Sequence, residues 1–276
     1  MFIFLRAIIT LKYSLWEDGY MNVTWYGTAA IGIDDGETKL LFDPFLRRNK
    51  KMNNPSLADY TGADAILVTH GHFDHIWDIP QILEKDKNVS VYCTETPKKT
   101  LAKLGAPAER INVIAPNDEF SVGKFNIKVY HGRHVDYDGE HIKNVFFDCA
   151  FHLPLFLRYL FVNFTMPEAN EIVVFEVEND GKRILVMGSY GTDENVEYPK
   201  DVDMFVMPFG GSPKIKDFAM PFITGISPRC ILADHHDNAF PPLTRRMDVE
   251  GFAPVLRKSL PDTKYIIPDE FEPYTV

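Results

Sequence analysis

A dense group of histidine and aspartate side chains directly follows a short apolar run in the first third of the chain. Residues 65–69 have the sequence AILVT, a continuous apolar run of the kind that forms a strand covered on both faces. The next six residues, from His70 to His75, contain three of the nine histidines of the chain and one aspartate. Imidazoles suit zinc, iron and other transition ions, and a neighbouring carboxylate suits a second or harder ion. The spacing therefore predicts a metal site rather than a solvated polar loop.

The order of side chains within this run suits two ions. On a loop that leaves a strand, His70 and His72 can turn toward one ion while Asp74 and His75 turn toward another. Gly71, between the first two histidines, permits a tight backbone conformation. We therefore expect the catalytic centre of this chain, if it is an enzyme, at the end of the apolar strand.

The run THGHFDH resembles the His-x-His-x-Asp-His signature of the metallo-β-lactamase superfamily, and this signature is highly specific. Residues 25–29 (WYGTA), 41–45 (LFDPF) and 203–211 (DMFVMPFGG) resemble the subgroup related to ascorbate-6-phosphate lactonase. The likeness covers most of residues 22–240. It implies an α/β fold, namely the four-layer αβ/βα sandwich of the metallo-β-lactamases.

The resemblance also implies ligands after two later strands. The third histidine of the family follows a strand, and the stretch VYHGRH places His134 there, with His131 as a neighbour in the pocket wall or a side chain at the strand end. The last histidine of the family corresponds to His235 in the stretch ILADHHD, with His236 as the alternative. The implied ligands are His70, His72 and His134 for the first ion, and Asp74, His75 and His235 for the second.

One position departs from the family pattern. The superfamily usually has an aspartate that bridges the two ions after a strand, and here the strand at 184–187 is followed by Gly188 and Ser189. A neutral hydroxyl is a poor bridge between two dications, and the spacing of Asp193 and Glu194 does not match the bridge position. The sequence therefore predicts one or two ions, with zinc expected first and manganese, iron or nickel as alternatives.

Two aspartates are candidates for roles in catalysis. A bound zinc ion can lower the pKa of its water to about 7, and Asp74 is expected to orient this water and take up its proton. The resemblance places Asp43 at the end of a strand near the site. There it either fixes a ligand imidazole or only forms the turn before Pro44.

Composition limits the partners of the chain. The 276 residues carry a formal net charge of −10, and no run of Lys and Arg forms a nucleic-acid footprint. We therefore expect a small-molecule substrate and no nucleic acid. Three cysteines without a Cys-x-x-Cys pair indicate a reducing compartment, so we expect a cytoplasmic protein.

Short β-rich runs alternate with helical stretches, as in α/β proteins. We expect a single domain at 21–276, and we interpret residues 1–20 as a non-native extension with Met21 as the true start. The predicted helices lie at 76–85, from Thr96 to Gly105, at 213–225 and at 248–258. The predicted strands lie at 22–26, 29–34, 39–43, 65–69, 89–93, 111–114, 124–130, 171–177, 183–187, 203–207, 229–233 and 264–267.

An aromatic insert at about 136–170 interrupts this pattern. Its segment 145–166 is unusually apolar, and Pro154 would lie in the first turn of a helix that continues to about Asn163. Four interpretations stay open: a core helix, a lid over the site, a face between copies of the chain, or a patch that touches a membrane.

The leading hypothesis is a metal-dependent hydrolase that cleaves a lactone, ester or phosphoester bond of a small molecule. The chain has no Gly-x-Ser-x-Gly elbow, P-loop or dinucleotide fingerprint that would support another chemistry. Two alternatives remain: a metal-binding homologue without hydrolytic activity, motivated by Ser189, and a lipid-directed phosphodiesterase, motivated by the aromatic insert.

Overall fold

The computed structural model describes residues 20–46, 49–136, 153–167, 169–241 and 244–276. The proposed extension at 1–20, apart from Tyr20, lies outside the described residues. So do residues 137–152 of the aromatic insert.

Fourteen strands of the described residues form two sheets of seven strands each. Side by side, the first sheet contains β14 (Pro273–Thr275), β1 (Asn22–Gly27), β2 (Ala30–Asp34), β3 (Lys39–Phe42), β4 (Ala65–Leu67), β5 (Ser90–Cys93) and β6 (Ile111–Val113). The second sheet contains β13 (Lys264–Ile266), β12 (Cys230–Asp234), β11 (Met204–Pro208), β10 (Lys182–Met187), β9 (Val173–Asn179), β8 (Phe125–His131) and β7 (Glu119–Val122).

Each sheet is half parallel and half antiparallel. The neighbours from β3 to β6 and from β10 to β13 run parallel. The pairs of β8 with β9 and of β9 with β10 are antiparallel, so β8 points in the same direction as β10 and β12. The carboxyl ends of the strands that precede the candidate ligands therefore point the same way within each sheet.

Helices cover the outer face of each sheet. They are α1 (Phe73–Ile76), α2 (Ile79–Lys85), α3 (Glu95–Lys103), α4 (Leu153–Thr165), α5 (Ile215–Phe218), α6 (Met220–Ile226) and α7 (Ala253–Ser259), with short 3-10 turns at Leu57–Tyr60, Ala108–Arg110 and Glu250–Phe252. None of the helices in the described ranges is long and apolar enough to cross a membrane.

Three apolar clusters hold these layers together. One lies between the two sheets and includes Leu67 of β4 and Phe175 of β9. A second joins the first sheet to its helices, and Ile66 of β4 belongs to it. The third joins the second sheet to α5, α6 and α7. Because β4 is buried on both faces, the strand predicted from the AILVT run is confirmed, and the molecule is the predicted αβ/βα sandwich.

Three predicted helices differ from the observed ones. The helix predicted at 76–85 is divided, because α1 ends at Ile76 and α2 begins at Ile79. The helix predicted from Thr96 begins at Glu95, with Thr94 as its N-cap residue. The cause is a distant contact: the Glu171 carboxylate accepts hydrogen bonds from the Thr96 backbone N–H and hydroxyl, both at 2.7 Å. The helix predicted at 213–225 is two short helices, α5 and α6, and Pro221 lies in the first turn of the second one.

Candidate metal centre

The candidate ligands follow the ends of three strands. His70 and His72 follow β4, Asp74 and His75 belong to the short helix α1 just beyond them, and His134 follows β8. His235 follows β12 directly. The ligand atoms form two groups, within each of which all atoms lie within 4.8 Å of one another: His70, His72 and His134 in the first group, and Asp74, His75 and His235 in the second.

The first group is compact. His70 Nε2 lies 3.1 Å from His72 Nδ1, and the His134 ring lies 4.8 Å from the His72 ring between centroids. Two nitrogen atoms bound to one tetrahedral zinc ion at about 2.0 Å would be roughly 3.3 Å apart. The observed spacing therefore suits two ligand atoms that share an ion.

Hydrogen bonds to other groups set the tautomers of these histidines. The Thr69 hydroxyl donates to Asp43 Oδ2 at 2.5 Å, so its oxygen accepts the Nδ1–H of His70 at 3.0 Å. His134 Nδ1 lies 2.8 Å from the carbonyl oxygen of Val135, which can only accept. In both rings Nδ1 therefore carries the proton, and Nε2 carries the lone pair that can bind a metal ion.

Burial keeps two imidazoles of the first group, His70 and His72, neutral. Desolvation, followed by the charge of His75, holds the pKa of His70 well below its usual value. Desolvation also lowers the pKa of His72 to about 3, although the Asp74 charge acts in the opposite direction. Neutral imidazoles are the form that binds metal ions.

The second group contains close contacts between a carboxylate and two imidazoles. The Asp74 Oδ2 and Oδ1 atoms lie 3.5 Å from His235 Nε2 and 3.8 Å from His75 Nε2. Burial alone raises the pKa of Asp74, but the charge of His75 and the hydrogen bond from His235 outweigh it, and the pKa falls well below its usual value. Burial alone lowers the pKa of His235, but the hydrogen bond to Asp74 and the nearby carboxylates raise it to about 9.

Two glycines permit close packing around the ligands. A Cβ atom at Gly210 would lie 2.5 Å from His235 Nδ1, and one at Gly188 would lie 1.9 Å from Thr69 Oγ1. Only glycine allows these approaches. The Gly-Gly turn and the glycine after β10 therefore have a steric role at the centre.

The donor set fits a transition-metal centre. Five imidazoles and one carboxylate converge in two groups of three, and the imidazoles of His70 and His72 are neutral. Such ligands suit zinc and related first-row ions rather than calcium or magnesium, which prefer oxygen.

Comparison with known proteins assigns the family. Residues 38–214 match the family model described as the β-lactamase superfamily domain. The chain belongs to the β-lactamase superfamily. In this superfamily the chain resembles relatives named metal-dependent hydrolases and has the metallo-β-lactamase fold.

The sequence matches cover only part of each chain, whereas the structural match covers nearly all of both chains. A UPF0173 metal-dependent hydrolase from Methylacidiphilum infernorum is 40% identical over 65 residues, which cover 24% of this chain and 28% of the relative. Another, from Bacillus licheniformis, is 30% identical over 119 residues, which cover 41% of this chain and 48% of the relative. The chain thus spans between about a quarter and a half of the length of the curated relatives it matches. The structure of Igni18, a metallo hydrolase from Ignicoccus hospitalis, has a TM-score of 0.65 at 18% identity, over 93% of this chain and 98% of that protein.

Ser189, the departure from the superfamily pattern, lines the pocket that holds both ligand groups. Its side chain is buried, and its Oγ accepts a hydrogen bond from the Val135 backbone N–H at 3.0 Å. Because the Val135 carbonyl contacts His134, Ser189 helps to hold the loop that carries this histidine. The Asp193 carboxylate pairs with His131 instead of entering the centre.

His131 and His236 belong to neither ligand group among the described residues. His131 Nδ1 lies 3.0 Å from Asp193 Oδ2 on a half-buried surface. His236 is buried and stacks on Trp25, with 4.6 Å between ring centroids, and burial lowers its pKa to about 4. Of the two adjacent histidines, His235 faces the centre and His236 is a core side chain.

Several pocket residues were missed by sequence reasoning. An aromatic wall contains Phe73 and Phe240, whose ring centroids lie 5.0 Å apart, and Asn163, Asp237 and Arg245 also line the pocket. Phe73 lies within the histidine signature and was available as a signal. Phe240 and Arg245 lie outside every quoted motif, so only the folded chain brings them to the site.

Helix α4, which provides Asn163, differs on its two sides. Val162 and the following Met166 are buried against the cluster that joins the first sheet to its helices. Phe161 and Phe164 are 67% and 84% exposed. The prediction of a core helix therefore holds for one side only, and a role in oligomer or membrane contact stays a prediction.

Proposed function

We propose that this protein is a metal-dependent hydrolase that cleaves a lactone, ester or phosphoester bond of a small molecule. The observation that carries the proposal is the convergence of six candidate ligand side chains from three separate segments of the chain. His70, His72 and His134 would hold the first ion. Asp74, His75 and His235 would hold the second, and zinc is the first choice of metal.

When bound, such an ion supplies a water nucleophile near neutral pH and polarises the carbonyl or phosphoryl oxygen of the substrate. The carboxylate of Asp74 lies at this centre and is ionised at neutral pH because its pKa is low. A low pKa makes it a weak base. Its stronger role is therefore to accept a hydrogen bond that orients the attacking water.

The walls of the pocket support a substrate with both polar and apolar parts. Phe73 and Phe240 offer an apolar surface beside the ligands, and the amide of Asn163 and the guanidinium of Arg245 are polar groups of the same pocket. Within the proposed class, the resemblance of residues 203–211 to the lactonase-related subgroup favours a lactone or a phosphorylated metabolite. The aromatic wall favours an acyl or other apolar group next to the bond that is cleaved.

Ser189 favours a second candidate, a metal-binding homologue without hydrolytic activity. Its hydroxyl accepts the Val135 N–H and brings no negative charge to the bridge position. If the second ion binds weakly for this reason, the chain would bind one ion and serve in sensing or assembly.

Metal content and turnover together test the proposal. Elemental analysis of protein purified without added metal or chelator should find one or two equivalents of a transition metal per chain. A panel of lactones, carboxylic esters, phosphodiesters and a phospholipid should include a substrate whose turnover stops on dialysis against a chelator.

Matched variants make this test specific. His72→Ala should lose both metal and turnover, whereas His131→Ala should retain the metal because His131 lies in neither ligand group. Metal without turnover on the whole panel would favour the binding homologue. Unchanged metal content in His72→Ala would refute the site.

A further inference from the structure

A second cavity of about 510 Å³ opens beside the candidate metal centre, and His134 lines both spaces. Two residues with cationic side chains, Arg133 and Lys214, line it together with Thr192. Asp136 is the one carboxylate in its lining among the described residues. The side-chain charges of the cavity therefore sum to a positive value, in a chain whose net charge is −10.

The backbone around the cations is held firmly. The Arg133 N–H donates to the Gly191 carbonyl at 3.0 Å, and a Cβ atom at Gly191 would lie 2.2 Å from the Arg133 carbonyl oxygen. On the other side, the Lys214 N–H donates to the buried Ser212 hydroxyl at 3.2 Å. Both cations thus extend from loops whose backbone is hydrogen-bonded at that position.

Aromatic side chains form the remaining wall of the cavity. Phe218 and Phe222 line it next to Tyr190, whose ring centroid lies 6.0 Å and 6.2 Å from theirs. Phe218 is 44% exposed although it is a large apolar residue. The cavity therefore offers an apolar surface beside two cations.

We propose that this cavity binds an oxyanion of the substrate, a carboxylate or a phosphate, whose apolar body lies on Phe218 and Phe222. Arginine suits this role because its planar guanidinium can donate two parallel hydrogen bonds to such a group. Since His134 lines both the cavity and the metal pocket, the anion would bind on one side of this histidine and the bond to be cleaved on the other. The inference rests on the proposed function and narrows its substrate to anionic molecules with an apolar part.

Direct binding tests the cavity without any turnover. Phenyl phosphate, benzoate and the neutral benzyl alcohol would each be titrated calorimetrically into chelator-treated, metal-free protein at low salt. At least one anion should bind, and benzyl alcohol should bind at least tenfold more weakly. The comparison of phenyl phosphate with benzoate tells which oxyanion is preferred.

Charge variants locate the binding. Arg133→Gln should weaken anion binding about tenfold, and Lys214→Gln should do so independently if the first variant folds poorly. Lys216→Gln is the matched control, because it removes a nearby cation that pairs with Asp248 at 3.0 Å and does not line the cavity. The proposal would be overturned if all three variants bound both anions with the wild-type affinity. It would also be overturned if benzyl alcohol bound as tightly as the anions.

Turnover distinguishes this proposal from the proposed function. If the metal-loaded protein hydrolyses no substrate while anion binding still depends on Arg133, the hydrolase proposal fails and the anion site stands. If neutral and anionic esters of matched size are hydrolysed equally well and no anion binds, the anion site fails and the hydrolase proposal stands.

Discussion

The Asp43 carboxylate accepts a hydrogen bond from the Nδ1–H of His75 at 2.7 Å. The same oxygen accepts the Thr69 hydroxyl at 2.5 Å, and the other oxygen accepts the Thr69 backbone N–H at 2.8 Å. Because the Thr69 hydroxyl in turn contacts His70, one buried carboxylate orients a histidine in each ligand group. Asp43 thus links the two ligand groups through hydrogen bonds to His75 and, by way of Thr69, to His70.

Asp43→Asn should weaken metal binding about 10- to 100-fold, the usual cost of losing a carboxylate that orients a ligand imidazole. The amide has only one acceptor oxygen. At the Oδ1 position it leaves both His75 and the Thr69 hydroxyl without their acceptor, and at the Oδ2 position it leaves the Thr69 backbone N–H without one, so the support of the ligands is weakened in either orientation. Competition with a fluorescent chelator measures the change. Asp64→Asn is the control, because Asp64 accepts the Lys39 N–H at the opposite end of β3. Equal losses in both variants would show that Asp43 has no special role.

Metal binding should release a proton from the second group but not from His72 in the first. The pKa of His235 is raised to about 9, so metal must displace its proton at pH 7, whereas the pKa of His72 is lowered to about 3 and it is already neutral. Affinity for an ion at the second group should therefore rise about tenfold per pH unit between pH 7 and 9. Calorimetry in buffers of different ionisation enthalpy counts the protons, and zero proton release for both equivalents would contradict the assignment.

The raised pKa of His235 also has a consequence for the metal-free fold. Because the folded pKa of about 9 lies above the unfolded value of 6.5, protonated His235 stabilises the fold fully below pH 6.5. This stabilisation is lost as the pH rises through 9. The melting temperature of metal-free protein should thus fall more between pH 6.5 and 9.5 than that of His235→Asn. Parallel pH profiles would exclude this contribution.

The parts of the fold and site that sequence could predict are local in the chain. The apolar strand and the histidine run are contiguous, so the apolar run and the spacing are enough to predict a buried β4 followed by a cluster of side chains that could hold a metal ion. The strands predicted at 171–177 and 183–187 are also close in the chain, and they are found as the antiparallel neighbours β9 and β10.

The parts that sequence could not predict depend on contacts between distant segments. The start of α3 is set by Glu171, 75 residues from Thr96. Which of the two adjacent histidines faces the candidate metal centre depends on packing: His236 stacks on Trp25, and His235 lies with the second ligand group. Both are tertiary effects that override local preference.

Ser189→Asp should raise occupancy of the second ion, because one carboxylate oxygen can keep the Val135 N–H while the other faces the metal pocket. Elemental analysis should show the stoichiometry approach two ions per chain if the wild type holds fewer. Ser189→Asn adds similar volume without the charge and is the matched control. An equal gain in both variants would mean that size rather than charge matters, and no gain would argue against Ser189 as the bridge position.

Gly210→Ala should damage the second ligand group selectively. The new methyl group would lie 2.5 Å from His235 Nδ1, closer than any relaxed contact, so the imidazole must rotate away from Asp74. We expect affinity for the second ion to fall at least tenfold in chelator competition, while the first ion binds as in the wild type. Gly225→Ala is the control, because a Cβ atom there meets nothing within 4 Å, and alanine in α6 should stabilise the fold by up to about 1 kcal/mol. If Gly210→Ala instead kept both ions at wild-type affinity, His235 would not be a ligand held by this contact.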